Sequence, residues 1–208
     1  MESEELLGRF AHLYATFQNQ QFFIAVANGT ITPHQVGTYL VQDAHYVLAL
    51  RDRLLDLAQL VEDAGARSIL RQHSRDAGAL PDVTRTIVAR ELGLPELVRE
   101  GPRPPTCGYI DHQRRSVCNG VREGILSILP CYLFYPFLVT SIRSMAPESE
   151  TLQKCLRCVS TEEQAHRWAD EIVEVWDRIG LAEPSAEPEA AFALSAQYEA
   201  ALLEMAMK

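Results

Sequence analysis

The sequence predicts an all-α fold, a bundle of about seven or eight helices. Apolar residues recur at helical spacing almost throughout, and no stretch alternates as a half-buried strand would. One helix start is fully marked, with Thr32 as N-cap, Pro33 at the first position and Gln35 reaching back as capping-box partner. The segments between the helices carry glycine, proline and short polar residues, which break helices.

Taken in order, ESEELLGRFAHLYATF places Leu6, Phe10, Leu13 and Phe17 on one stripe. TPHQVGTYLVQDAHYVLALRDRLLDLAQLVEDA is expected to be one long helix. AGARSILRQHSRDAGALPDVTRTIVARELGL reads as one or two helices, interrupted near Pro81. VREGPRPPTCGY is the clearest loop, followed by a helix from about Cys107 and another that carries Cys131. ESETLQKCLRCVSTEEQAHRWADEIVEVWDRIG reads as a single long charged helix, LAEPSAEPE as a loop, and the last helix is expected from about Glu189. The helical halves flanking the proline loop are too short to fold alone, so one domain over residues 1–208 is expected.

The chain has 208 residues, 47% apolar and 23% charged, as in ordinary globular proteins. A formal net charge of −9 argues against nucleic acid or an anionic membrane as partner. The acidic start MESEELLGRF has no apolar core segment, so no signal peptide is expected. The apolar stretch from Ile125 to Val139 is judged too short to span a bilayer. The five cysteines are read as reduced thiols in a cytoplasm.

Three groups sit where an apolar side chain would be expected. Helix neighbours lie three and four residues apart. Around Asp43 these are Tyr39, Leu40, Tyr46 and Val47; around Glu199 they are Ser195, Ala196, Leu202 and Leu203. Around Cys131 they are Ser127, Ile128, Phe134 and Tyr135. Burying a carboxylate costs several kcal/mol unless it is partnered or stays neutral. For Asp43 a partner from another helix is expected, and the set together predicts a polar-lined pocket between helices. In such a pocket a thiolate adds to an electrophilic carbon, one carboxylate orients the substrate, and the other carries a proton to a leaving nitrogen. No histidine is paired with Cys131, so a papain-like dyad is not indicated.

At these residues the chain resembles the TenA / thiaminase II family. ANGTITPHQVGTYLVQDAHYVLAL is similar to that family's segment ending in Gln-Asp and an aromatic. PTCGYIDHQRRSV, ILPCYLFY and LSAQYEAALLEMA are similar to its Pro-Thr…Tyr…Arg-Ser, Leu-Pro-Cys-Tyr-x-x-Tyr and C-terminal Tyr-Glu motifs, in the same order. The resemblance implies the heme-oxygenase-like fold as a single TenA-like domain. It implies Cys131 as nucleophile, Asp43 as the carboxylate that holds the pyrimidine, and Glu199 as the proton carrier. Tyr46, Tyr109 and Tyr135 match aromatic pocket positions. The implied activity is a hydrolysis that releases ammonia from an aminopyrimidine of thiamin salvage, with thiamin cleavage as a poorer reaction. It implies no cofactor, a small-molecule substrate and a homotetramer. Pro130 is expected to turn Cys131 toward the pocket, with Tyr135 one turn along as its wall. The chain departs from the family pattern at Leu133, Val159 and Gln20–Gln21, and Pro136 falls inside the helix.

Alternatives stay open. One is a TenA-like enzyme turned to another nitrogen heterocycle or amide in secondary metabolism. Another is a di-iron oxidase of the same fold, for which Glu163, His166 and Asp170 offer half a ligand set with no second Glu-x-x-His. A third is a non-catalytic ligand-binding regulator, discriminated by whether Cys131 alkylates faster than the other thiols. His166 and Asp170 are expected on a solvated face, His45 to be structural or exposed, and Cys155 and Cys158 to be helix-face thiols with one partly buried.

Overall fold

The structure is a computed structural model that describes residues 8, 10–179 and 187–208. The described residues form α-helices with short π and 3-10 turns and no strand. In chain order these are α1 (Ala11–Gln18), α2 (Gln21–Ala27), α3 (Pro33–Leu60) and α4 (Ala64–Thr86). Then follow α5 (Pro104–Asn119), α6 (Val121–Met145), α7 (Glu150–Cys155), α8 (Glu162–Arg178) and α9 (Glu187–Ala206). The N-terminal part of the first expected helix and most of the LAEPSAEPE loop lie outside the described residues.

The helix starting at Thr32 forms as expected. Gln35 N donates to Thr32 Oγ1 at 3.2 Å and Thr32 N donates to Gln35 Oε1 at 3.0 Å. Only two residues separate α3 from the cap of α4, and the two helices pack along their length as a hairpin. The apolar α6 is packed by α2, α5, α8 and α9, which places it at the centre of the bundle.

Four expectations are corrected. Pro81 does not interrupt its helix: α4 continues to Thr86 and runs into a π turn at Ile87–Glu91. Pro81 is buried, and packing of α4 against α3 and α8 offsets the missing backbone bond. The helix after the proline loop starts at Pro104, not Cys107, because a proline's fixed φ suits the first helical position.

The expected long helix after Ser149 is two helices. Thr161 caps α8 by accepting from Gln164 N at 3.1 Å, and acidic Glu162 and Glu163 follow in the first turn. The segment Val121–Glu148 is long and apolar enough to cross a membrane, against the shorter reading from sequence. However, 67% of its apolar window is buried inside the bundle, and it is the core helix.

The start of α5 is tied to α3 through Gln42, which is 1% exposed. Its Oε1 accepts from Arg103 N at 2.7 Å and Thr106 Oγ1 at 2.8 Å, and its Nε2 donates to Gly101 O at 3.1 Å. His45 bonds Glu100 O at 2.9 Å through Nε2, which makes it structural, as expected. These contacts set the register of Tyr109 and Gln113 on α5 against the groups on α3.

Candidate active site

Four helices converge. Asp43 and Tyr46 come from α3, Tyr109 and Gln113 from α5, Cys131 and Tyr135 from α6, and Glu199 from α9. Cys131, Asp43 and Tyr135 line a cavity of about 100 Å3 with Val47, Leu50 and Leu80 among its apolar walls. Glu199, Tyr46 and Tyr109 form the layer packed about the thiol.

Directed hydrogen bonds build that layer. Gln113 Nε2 donates to Ser127 O at 3.2 Å and to Tyr46 Oη at 2.8 Å. A carbonyl only accepts, so the amide orientation is set, and the Tyr46 proton points onward. Tyr46 and Glu199 lie close enough to Cys131 to act on the ionisation of its thiol. Tyr109 Oη donates to Glu199 Oε1 at 2.8 Å. The rings of Tyr46 and Tyr109 stack at 4.4 Å, and Tyr198 stacks on Tyr109 at 5.4 Å. Pro130 leaves no N–H for the carbonyl four residues back, and the neighbouring Ser127 carbonyl accepts from both Gln113 and Ser195.

Burial dominates the electrostatics. It pushes Asp43 up to about 7. It pushes Glu199 up to about 8, against the lowering effect of the Tyr109 hydrogen bond. It also lifts the Cys131 thiol well above its ordinary value, and the nearby Glu199 charge adds to this. Two carboxyls titrating near neutrality suit proton transfer in both directions. The thiol is not a thiolate at rest; it needs a base, and Glu199 is placed to be one.

The structure therefore brings together all six residues named from the sequence. Tyr135 accepts from Ser160 N at 3.2 Å, which holds its ring in the cavity wall. Two expectations about the side chains are corrected. Among the described residues Asp43 has no hydrogen-bond partner from another helix; its open surface faces the cavity. The Cys131 thiol is lifted well above its ordinary value, while Cys107 and Cys118 are exposed. Cys155 and Cys158 are both buried, and burial pushes their thiols up to about 12 and about 11.

His166 and Asp170 are exposed, as expected. Among the described residues no group of three His, Cys, Asp or Glu side chains is arranged to hold a metal ion.

Sequence reasoning missed part of the cavity lining, His73, Asp76 and Trp168. A signal was available: His73 interrupts the apolar stripe of α4 at Ala66, Leu70, Ala77 and Leu80 as Asp43 interrupts that of α3. Gln113 was missed as well, since nothing in the spacing of α5 marks it as the donor to Tyr46.

No protein-family model and no curated protein sequence matches the chain. Its fold is that of the heme-oxygenase-like bundles. A domain of unknown function with a heme oxygenase-like fold from Shewanella denitrificans superposes with a TM-score of 0.76 at 14% identity, covering 100% of this chain and 92% of that one. More specifically, the chain has the fold of the TenA homologues. The TenA homologue of P. horikoshii OT3 matches with a TM-score of 0.82 at 16% identity over 98% of this chain and 97% of that one. The TenA homologue of Pyrococcus furiosus matches with a TM-score of 0.82 at 15% identity over 99% and 100%.

Proposed function

We propose that this chain is a TenA-family hydrolase of the thiaminase II type, which releases ammonia from an aminopyrimidine without a cofactor. The observation that carries the reading is the convergence on Cys131. Glu199 and Tyr46 act on the ionisation of one thiol at the wall of a cavity that also presents Asp43. A cavity of about 100 Å3 suits one small ring; pockets for drug-sized ligands run to roughly 300–1,000 Å3.

In this reading Asp43 accepts from the ring's amino group and shares a proton with the ring nitrogen. Glu199 takes the thiol proton as sulfur adds to an electrophilic ring carbon, and the electron pair moves onto the nitrogen held by Asp43. Glu199 returns the proton to the amine on the ring's methylene substituent; the lone pair of the ring amino group pushes through the ring, the methylene C–N bond breaks, and ammonia leaves behind an exocyclic methylene. Water adds its oxygen to that methylene carbon and gives up a proton, the electron pair returns to expel the sulfur, and the thiol is restored with that proton. The net change is amine plus water to alcohol plus ammonia.

The test is ammonia release from 4-amino-5-aminomethyl-2-methylpyrimidine by wild type beside Cys131→Ser. Release by wild type alone supports the reading. Full activity in the serine variant sinks the nucleophile. No release from folded wild type moves the assignment to another nitrogen heterocycle or amide, which the departures at Leu133 and Val159 favour. The homotetramer and the cytoplasmic location belong to the same proposal, and light scattering on the purified chain tests the first.

A further inference from the structure

We propose that the part of the cavity lined by Trp168, Tyr135, His73 and Asp76 is a subsite for an ammonium group of the ligand. For the identity of the reacting end this rests on the function proposed above; the preference for a cation does not.

The cavity wall is aromatic beyond Cys131. The Tyr135 and Trp168 rings lie 6.2 Å apart with 31° between planes. Trp168 and His73 lie 6.4 Å apart, and His73 meets Tyr132 edge-on at 5.3 Å. Rings arranged round a space the size of one small group attract cations through their negative faces. Two of them are held in place: Tyr135 by Ser160 N at 3.2 Å, and His73 by Glu171 Oε2 at 2.8 Å from its Nε2.

The charges agree. Among the described residues, those lining the cavity include the carboxylates of Asp43 and Asp76 and no lysine or arginine. Asp76 is itself oriented by Gln72 Nε2, which donates to Oδ1 at 2.8 Å and leaves Oδ2 without that partner. His73 is 3% exposed, burial lowers its basicity against the raising effect of Glu171, and its Nε2–H donates to the Glu171 carboxylate. Arg167 Nε lies 4.0 Å from Glu171 Oε1, with a side chain 57% exposed and outside the cavity lining. A phosphate or carboxylate entering here meets two acids and, among the described lining residues, no counter-charge. An ammonium meets Asp76 beside the rings of Trp168 and Tyr135.

The test uses three probes that share one ring and differ in charge: benzylammonium, benzyl alcohol and benzyl phosphate. Each is titrated into the full chain, with calorimetry for affinity and 15N-indole resonances for location. The protein has two tryptophans, so Trp168→Leu assigns the signals. Benzylammonium is expected to bind about tenfold tighter than the alcohol, to move the Trp168 indole signal and leave that of Trp176, and benzyl phosphate to bind weakest. Asp76→Asn is expected to bring the ammonium within about twofold of the alcohol. Trp168→Leu is expected to weaken the ammonium more than the alcohol. Equal affinity for ammonium and alcohol, tighter binding of the phosphate, an unmoved Trp168 signal, or no ammonium binding at millimolar concentration each overturns the proposal. If the pyrimidine amine yields no ammonia while benzylammonium keeps its preference, the reaction assignment fails and the subsite stands.

Discussion

Replacing Asp43 by asparagine should stabilise the protein at alkaline pH and remove much of its pH dependence. Burial holds the Asp43 carboxyl at about 7, against 3.8 in an unperturbed chain. Between those values the folded state binds more protons than the unfolded state, so stability falls as pH rises. Relative to a chain in which only the neutral acid exists, the wild type forfeits about 1.5 kcal/mol at pH 5 and about 4 kcal/mol at pH 8.5, at 1.36 kcal/mol per pH unit.

These figures are ceilings, because Asp43 is only partly buried and solvent at the cavity wall screens the ion. The difference between Asp43→Asn and wild type should therefore grow by up to about 3 kcal/mol in the variant's favour from pH 5 to pH 8.5. With a urea dependence of about 2 kcal/mol per molar, the midpoint gap widens by about 1.5 M. Urea unfolding of both proteins across that range measures it directly. A gap constant with pH would refute the reasoning, since it would mean that Asp43 ionises in the folded chain as it does in water. The same variant should lose activity, because the charge that destabilises the fold is the one offered to the ligand.

Two further outcomes follow from the packing. Tyr109→Phe removes the donor 2.8 Å from Glu199 and should raise the Glu199 midpoint above about 8. A hydrogen bond to a charged group is worth about 1.5–3 kcal/mol, so the shift should be about 1–2 pH units. Infrared difference titration of the carboxyl reads it without substrate, and an unmoved midpoint would count against the bond. Gly124 sits where α6 crosses α3 and α5, and a Cβ there would lie 2.7 Å from Leu57 Cδ2 and 3.2 Å from the Val117 backbone. Gly124→Ala should destabilise by about 1–3 kcal/mol, since backbone cannot swing aside; urea unfolding within about 0.5 kcal/mol of wild type would contradict the close approach.

Where helices exist, and which face of each turns inward, is local information, and the sequence carries it. Spacing placed Asp43, Cys131 and Glu199 on inward stripes, and the Thr32–Gln35 box marked its helix end to the residue. Proline was less legible. Pro81 reads as a breaker and Pro104 as loop, yet one lies inside a helix and the other opens one, because a proline's effect depends on what its turn packs against.

How the stripes meet depends on crossings between helices far apart in the chain, so only the tertiary structure decided it. It paired Tyr109 with Glu199 and Gln113 with Tyr46. It left Asp43 facing open space where a partner was expected, and set His73, Asp76 and Trp168 in the lining of the same cavity. It also set the ionisation of the site. An inward carboxyl can be read from helical spacing, but a midpoint of about 7 at Asp43 or about 8 at Glu199 depends on how completely other helices exclude water from it.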